Sequence, residues 1–205
     1  MVKFLTPAVV AVALVGASAN GAVPTGNLVA NGSAEEGAGS SDGSVVPVPG
    51  WTTAGSFTVV QYGAPGFPSS QPGGGLNLFA GGHDPSSSAS QALDLVGSRA
   101  TIDASRVDAR VSGLVLRPAG GEARIVVTLL GANGRSLGGR AVRGVNAGSF
   151  SRVTSRLPLP PGTRTMTVAM EAGAPSSGSD EALFDNVLVT LIQRRVPPGH
   201  GAAHG

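Results

Sequence analysis

Short β-rich segments separated by turn residues run along most of this chain, and they constrain its fold more than any other feature. Ten such segments follow Asn27, at 28–30, 56–62, 77–80, 88–95, 106–117, 123–130, 136–144, 150–157, 165–171 and 182–192. Helical periodicity is nearly absent, and only 96–105 has a composition suited to a short helix. The pattern predicts an all-β fold, an antiparallel two-sheet β-sandwich.

Turn chemistry and residue alternation support this prediction. Asn133 and Gly134 separate two of the segments, and an Asn-Gly pair supplies the two positive φ angles of a type I′ hairpin turn. Between Thr165 and Met170, small or polar residues alternate with methionine and valine. We therefore expect one exposed face and one buried face on that strand.

The two ends of the chain differ from its middle. Residues 1–19 combine a positive start at Lys3, an apolar stretch of about a dozen residues and an Ala-Ser-Ala exit, which is the three-part pattern of a secretory signal peptide. We predict a flexible segment at 20–26, the sandwich domain at 27–192 and a disordered tail at 193–205. We expect the mature protein to be a secreted, extracellular monomer that has no membrane span once the leader is removed.

Composition excludes several classes of function. Lys3 is the sole lysine, so without the leader 13 arginines (14 basic residues less that lysine) face 12 acidic residues, and the sequence shows no basic stripe. That balance predicts no nucleic-acid partner. The absence of cysteine excludes disulfides and thiolate chemistry. Nucleophile-elbow, zinc-protease and phosphate-loop motifs are absent as well, so we expect no catalytic activity.

Four segments carry a family resemblance. The first is NLVANGSAEEG at 27–37, which is followed after a polar loop by PGW at 49–51. The second is LFDNVLVT at 183–190. The middle of the chain adds LNLFAGG at 76–82 and ASQALDL at 89–95. Together they resemble galactose-binding-like jelly rolls, a group that includes many carbohydrate-binding modules of secreted microbial proteins. The resemblance covers 27–192 and implies a jelly-roll sandwich in which the first and last strands pair.

The resemblance also implies a structural calcium site. Pairing of the end strands would bring Glu35 near Asp185, with backbone carbonyls near Ser33 as further ligands. Calcium prefers such hard oxygen ligands. Two alternatives stay open for the carboxylates: they cap turns or pair with arginine, or they act as the acid and nucleophile of a glycosidase.

Sugar recognition needs flat aromatic faces and fork-shaped or amide donors. Trp51 is the only indole and Tyr62 the only phenol, and each is a candidate ligand platform, with core packing and strand-end anchoring as the respective alternatives. His83 and Asp84, in a glycine-flanked loop, are candidates for a hydroxyl network or a solvated pair. Strand arginines are candidate donors for one sheet face, if they do not simply point to solvent: Arg110, Arg117, Arg124 and Arg152.

These observations together predict a secreted, non-catalytic binding module whose partner is carbohydrate, such as a cell-surface glycan. One alternative is an extracellular structural or adhesive protein that binds another protein, which the scarcity of aromatic residues favours. The other is a hydrolase that acts on glycosides or esters.

Overall fold

The computed structural model describes residues 22–117, 121–144, 148–173 and 182–194. The predicted signal peptide at 1–19 and nearly all of the predicted tail therefore lie outside the described residues. The strands within the described ranges are β1 Thr52–Ala54, β2 Thr58–Gln61, β3 Asn77–Ala80, β4 Ser86–Asp94, β5 Val107–Leu116, β6 Glu122–Gly131, β7 Ser136–Arg143, β8 Ser151–Pro158, β9 Thr163–Gly173 and β10 Leu183–Gln193. A 3-10 turn at Val96–Ser98 leads into a short helix, α1 Arg99–Asp103.

The strands form two five-stranded antiparallel sheets. Sheet I has the order β1-β4-β9-β6-β7, and sheet II has the order β2-β3-β10-β5-β8. The predicted all-β, two-sheet sandwich is thus confirmed, and so is the short helix expected within 96–105. No helix of the described residues is both long and apolar enough to cross a membrane.

The two ends of the domain meet, although the first predicted strand, at 28–30, is not a regular strand. The Leu28 N–H donates to the Val189 carbonyl (2.8 Å), and the Val187 N–H donates to the Gly32 carbonyl (2.7 Å). Between these two bonds, the side chain of Asn27 accepts a bond from the Val189 N–H (2.8 Å). Because a side chain occupies this ladder position, the N-terminal segment lies along β10 without completing a sixth strand.

Strand alternation builds the core between the sheets. On β9, Met166, Val168 and Met170 are fully buried, as the alternation predicted. Three phenylalanines, Phe57, Phe79 and Phe184, are also fully buried, and the Phe57 ring packs against the other two with ring centroids 6.1–6.2 Å apart. Each such ring stabilises the fold by about 1.5–3 kcal/mol through burial.

The hairpin between β6 and β7 differs from the predicted type I′ turn. Only Gly134 has a positive φ angle there (+75°), whereas a type I′ turn needs two such residues. The Gly131 N–H donates to the Arg135 carbonyl, and the Gly134 N–H donates to the Gly131 carbonyl (both 2.9 Å). This is the longer three-residue loop, which Asn133 stabilises by accepting the Arg135 N–H (3.0 Å).

A second, smaller apolar cluster lies on the outer face of sheet II. The loop after β2 folds back over this face, so that Tyr62 and Phe67 pack on Val60, Leu78 and Leu183. The loop consequently covers the start of β10, where the Asp185 carboxylate is fully buried.

Candidate functional site

Trp51 lies in the core and not on a binding surface. Its side chain is only 8 % exposed. The indole Nε1–H donates to the Asn31 carbonyl (3.2 Å), and the ring packs edge-on against Phe79 with centroids 5.7 Å apart. Of the two roles predicted for Trp51, the structure therefore supports packing, because neither ring face is open to a sugar.

Tyr62 and Asp185 form a closed polar pair under the loop after β2. The Tyr62 hydroxyl donates to Asp185 Oδ2 (2.8 Å), and the Asn186 N–H donates to Oδ1 (2.6 Å). Asn186 has a positive φ of 51° at a bulge in β10, and its side-chain amide donates to the Gly73 carbonyl (2.8 Å). A Cβ on Gly74 would lie 2.9 Å from Asp185 Oδ2, so the loop closes tightly over the pair. Tyr62 is accordingly a strand-end anchor, the second role predicted for it.

This environment shifts the acidity of both groups. Burial raises the pKa of Asp185 to about 7, against the opposing effect of the hydrogen bonds from Tyr62 and Asn186. The negative charge of Glu35 adds a smaller increase. Burial, and then the hydrogen bond to Asp185, raise the pKa of Tyr62 far above its ordinary value. Asp185 is therefore the group of this cluster that titrates near neutral pH.

Glu35 caps a turn. Its Oε1 accepts the N–H groups of Leu76 and Asn77 (both 3.0 Å), and its Oε2 accepts the Leu76 N–H as well (3.1 Å). The chain at Gly75 packs against this carboxylate, because a Cβ there would lie 2.5 Å from Oε1. These contacts match the turn-capping alternative that the sequence left open.

The implied calcium site does not fit the residues as they are arranged. The oxygens of Glu35 and Asp185 face N–H and O–H donors, whereas a bound cation needs oxygens that are free to face it. Ser33 lies half-buried in the preceding turn, and the neighbouring Gly32 carbonyl is taken by the Val187 N–H. Within the described ranges, no third His, Cys, Asp or Glu side chain joins Glu35 and Asp185 in a cluster.

The remaining predicted ligand residues do not share one place. His83 and Asp84 are exposed in the turn between β3 and β4, where the Asp84 N–H donates to Ser56 Oγ (2.8 Å). Arg110 lies in the middle of β5, directly opposite Arg156 of β8. The candidates Trp51, Tyr62 and Arg110 therefore do not form one shared binding surface.

A cleft that the sequence did not reveal lies between the free edges of the two sheets, at β7 and β8. Three residues of β7 face the sandwich interior: Gly138, Arg140 and Val142. Of these, only Val142 packs on the core. Glycine and arginine cannot fill the interior, so the sheets stay apart at this corner. The opening has a volume of about 480 Å³. It is lined by Ser105, Leu129, Leu137, Gly138, Gly139, Arg140, Arg156, Leu157, Pro158, Leu159, Pro160 and Arg194.

Asp108 fixes two of the cleft arginines. Arg156 Nε lies 2.7 Å from Asp108 Oδ2, and Arg194 Nε lies 2.7 Å from Asp108 Oδ1. Burial works to raise the pKa of Asp108, but the hydrogen bonds from Arg194 and then Arg156 outweigh it and lower the pKa overall. Asp108 thus stays ionised and holds both guanidinium groups at the mouth of the cleft.

The outer face of sheet I contrasts with this edge. Beside the half-buried Val126 and Leu130, it presents mainly small or hydroxyl-bearing side chains, namely Ser88, Ser90, Thr128, Ala141, Thr165, Thr167 and Ala169. At one end, Arg124 pairs with Glu171 (2.7 Å) and Arg143 pairs with Glu122 (2.8 Å). Within each pair the two opposite charges cancel, so the face carries no excess of positive charge among the described residues.

No protein-family model matches the chain, and no curated protein sequence does. Solved structures match it at the level of the fold. The Stig cyclase Fisc from Fischerella sp. TAU, in complex with (3Z)-3-(1-methyl-2-pyrrolidinylidene)-3H-indole, is 14 % identical with a TM-score of 0.60, over 83 % of this chain and 99 % of that one. A family 16 carbohydrate-binding module is 18 % identical with a TM-score of 0.50, over 82 % and 100 %.

The enzymatically active domain of tailspike protein 4 from bacteriophage CBA120 matches with 14 % identity and a TM-score of 0.53, over 81 % of this chain. The chain spans only 21 % of that tailspike chain. Identities this low concern the fold alone, and the fold occurs both in enzymes and in carbohydrate-binding modules. The chain therefore shares its β-sandwich fold with these proteins, and this is the architecture that the sequence motifs implied.

Proposed function

We propose that this protein is a secreted, non-catalytic module that binds carbohydrate, and that the glycan lies in the β7–β8 cleft. The observation that carries the proposal is the mixed lining of that cleft. Leucine and proline side chains offer apolar surface to the C–H face of a sugar ring, and guanidinium groups donate to its oxygens. A volume of about 480 Å³ lies within the range of roughly 300–1,000 Å³ that small-ligand sites occupy.

Binding is favoured over hydrolysis by the positions of the carboxylates. Glycoside hydrolysis uses two carboxyl groups about 5–10 Å apart on either side of an accessible bond. Among the described residues, the lining of the cleft contains no Asp, Glu or His. Asp185 is fully buried and Glu35 is held by backbone N–H groups, so neither carboxylate faces this cleft. Together these features support a binding role.

Affinity gel electrophoresis against a panel of neutral and charged polysaccharides tests the proposal. We expect retardation on at least one glycan, and we expect Arg140→Ala, at the cleft, to reduce it. Arg143→Ala is the matched control, since it lies on the same strand but faces the outer side of sheet I and pairs with Glu122. No retardation on any glycan would exclude the proposal.

A second candidate, a protein-binding adhesive role, is favoured by one observation. Carbohydrate-binding surfaces usually include aromatic platforms, yet Trp51 and three phenylalanines are in the core here. Cross-linking to a partner protein that persists after enzymatic removal of its glycans would support this second candidate and count against the first.

A further inference from the structure

Five exposed arginines are spread along the β8 side of the sandwich. They are Arg110, Arg140, Arg152, Arg156 and Arg194. Arg110 and Arg156 are directly opposed across β5 and β8, and Arg152 lies four residues from Arg156 on the same face of β8. Directly opposed like charges destabilise a sheet, so this arrangement has a folding cost that an anionic partner would relieve.

Within the part of the chain that the structure describes, carboxylates do not balance this group. Arg156 and Arg194 share Asp108, and the other three make no salt bridge with any described residue. Five arginines against one aspartate leave an excess of four positive charges. Asp185, which interacts electrostatically with Arg152, reduces the excess to three when it is ionised. Elsewhere on the sandwich, Arg124, Arg143 and Arg164 each have a carboxylate partner, whereas Arg99, Arg106, Arg117 and Arg135 form no salt bridge with another described residue.

We infer that the bound glycan is an anionic polysaccharide, whose carboxylate or sulfate groups are held by the arginines of the cleft and of the adjoining outer face of sheet II. This inference rests on the proposed function. Guanidinium groups bind carboxylate and sulfate oxygens through two parallel hydrogen bonds. A polymer with repeated anionic groups engages several arginines at once, which compensates for the screening of each exposed charge by salt.

Matched pairs of polymers test the inference on the purified protein. Polygalacturonate and its fully methyl-esterified form share one backbone and differ in charge, and dextran sulfate and dextran form the sulfated pair. We expect at least tenfold tighter binding to the charged member of a pair, and weaker binding at raised salt. The two pairs distinguish a carboxylate ligand from a sulfate ligand.

Variants locate the binding surface. Arg140→Ala and Arg110→Ala each remove a guanidinium that has no salt bridge in the described structure, so we expect each to weaken binding roughly tenfold without lowering the melting temperature. Arg140→Lys keeps the charge and loses the two-bond geometry, so its affinity should fall in between. Arg143→Ala should bind as the wild type does.

The outcomes separate the two claims. Equal binding of polygalacturonate and its ester, weakened in both by Arg140→Ala, would overturn the anionic inference and leave carbohydrate binding in place. Binding that neither Arg110→Ala nor Arg140→Ala changes would overturn the assigned surface. Tighter binding of duplex DNA than of polygalacturonate at the same salt would overturn the inference in favour of nucleic acid. Retention on no glycan would remove the proposed function itself.

Discussion

Asp185→Asn should change the pH dependence of stability in a defined direction. The carboxyl of Asp185 is fully buried, and burial raises its pKa to about 7 in the folded state. In the unfolded chain the pKa returns to its ordinary value of 3.8. Between these two pH values the folded state holds a proton that the unfolded state has released, so raising the pH favours unfolding. Asparagine fills the same space and cannot ionise.

The size of the effect follows from the two pKa values. Each pH unit between 3.8 and about 7 lowers the free energy of unfolding by about 1.4 kcal/mol, which gives about 4 kcal/mol in total as an upper limit. This contribution is fully present below pH 3.8 and is lost as the pH rises through about 7. At pH values above 7 we therefore expect the Asp185→Asn variant to exceed the wild type in stability.

Urea unfolding at a series of pH values from about 4 to 8 measures this difference. The difference between variant and wild type isolates Asp185 from the other carboxylates, which titrate in both proteins. Asp84→Asn, which removes an exposed carboxylate, is the control and should leave the wild-type profile in place. Parallel profiles for Asp185→Asn and the wild type over this range would refute the reasoning.

Three other predictions concern the packing and the carboxylates. Phe79→Ala should lower the free energy of unfolding by about 3–5 kcal/mol in urea, because the buried ring leaves a cavity; a loss below 1 kcal/mol would contradict the packing described. Gly74→Ala should lower the melting temperature, because its Cβ would lie 2.7 Å from the Tyr62 hydroxyl, whereas Gly97→Ala, with open space around it, should change stability by less than about 0.5 kcal/mol. A chelator should leave the melting temperature unchanged, because Glu35 faces N–H donors; a clear decrease would restore the calcium site that the sequence motifs imply.

The sequence predicted the fold well where local patterns determine it. Alternation placed Met166 and Met170 in the core, and turn residues separated nine of the ten strands. The sequence analysis did not predict β1, Thr52–Ala54, because all three residues of this edge strand are exposed and show no apolar alternation. The 28–30 segment has the composition of a strand, but the side chain of Asn27 replaces a backbone partner there.

The proposed binding site was less accessible to sequence reasoning, because it depends on contacts between distant segments. Arg110 and Arg156 are far apart in the sequence and are opposed only through the register of β5 with β8. Arg194 approaches Arg156 only through their shared contact with Asp108. Arg140 reads as an ordinary solvent-facing residue of β7 until the pairing with β6 shows that it points inward. The alternation of arginine with apolar residues was the one available signal, and it gave no indication of which strands are neighbours.

Chemical-shift mapping on the isotope-labelled protein tests the central claim, the location of the glycan, most directly. On titration with an oligogalacturonate, we expect chemical-shift changes concentrated at Arg140, Arg156 and Arg194 and at the leucine residues that line the cleft, namely Leu129, Leu137, Leu157 and Leu159. Shifts concentrated instead on Thr128 and Thr167, on the outer face of sheet I, would contradict it.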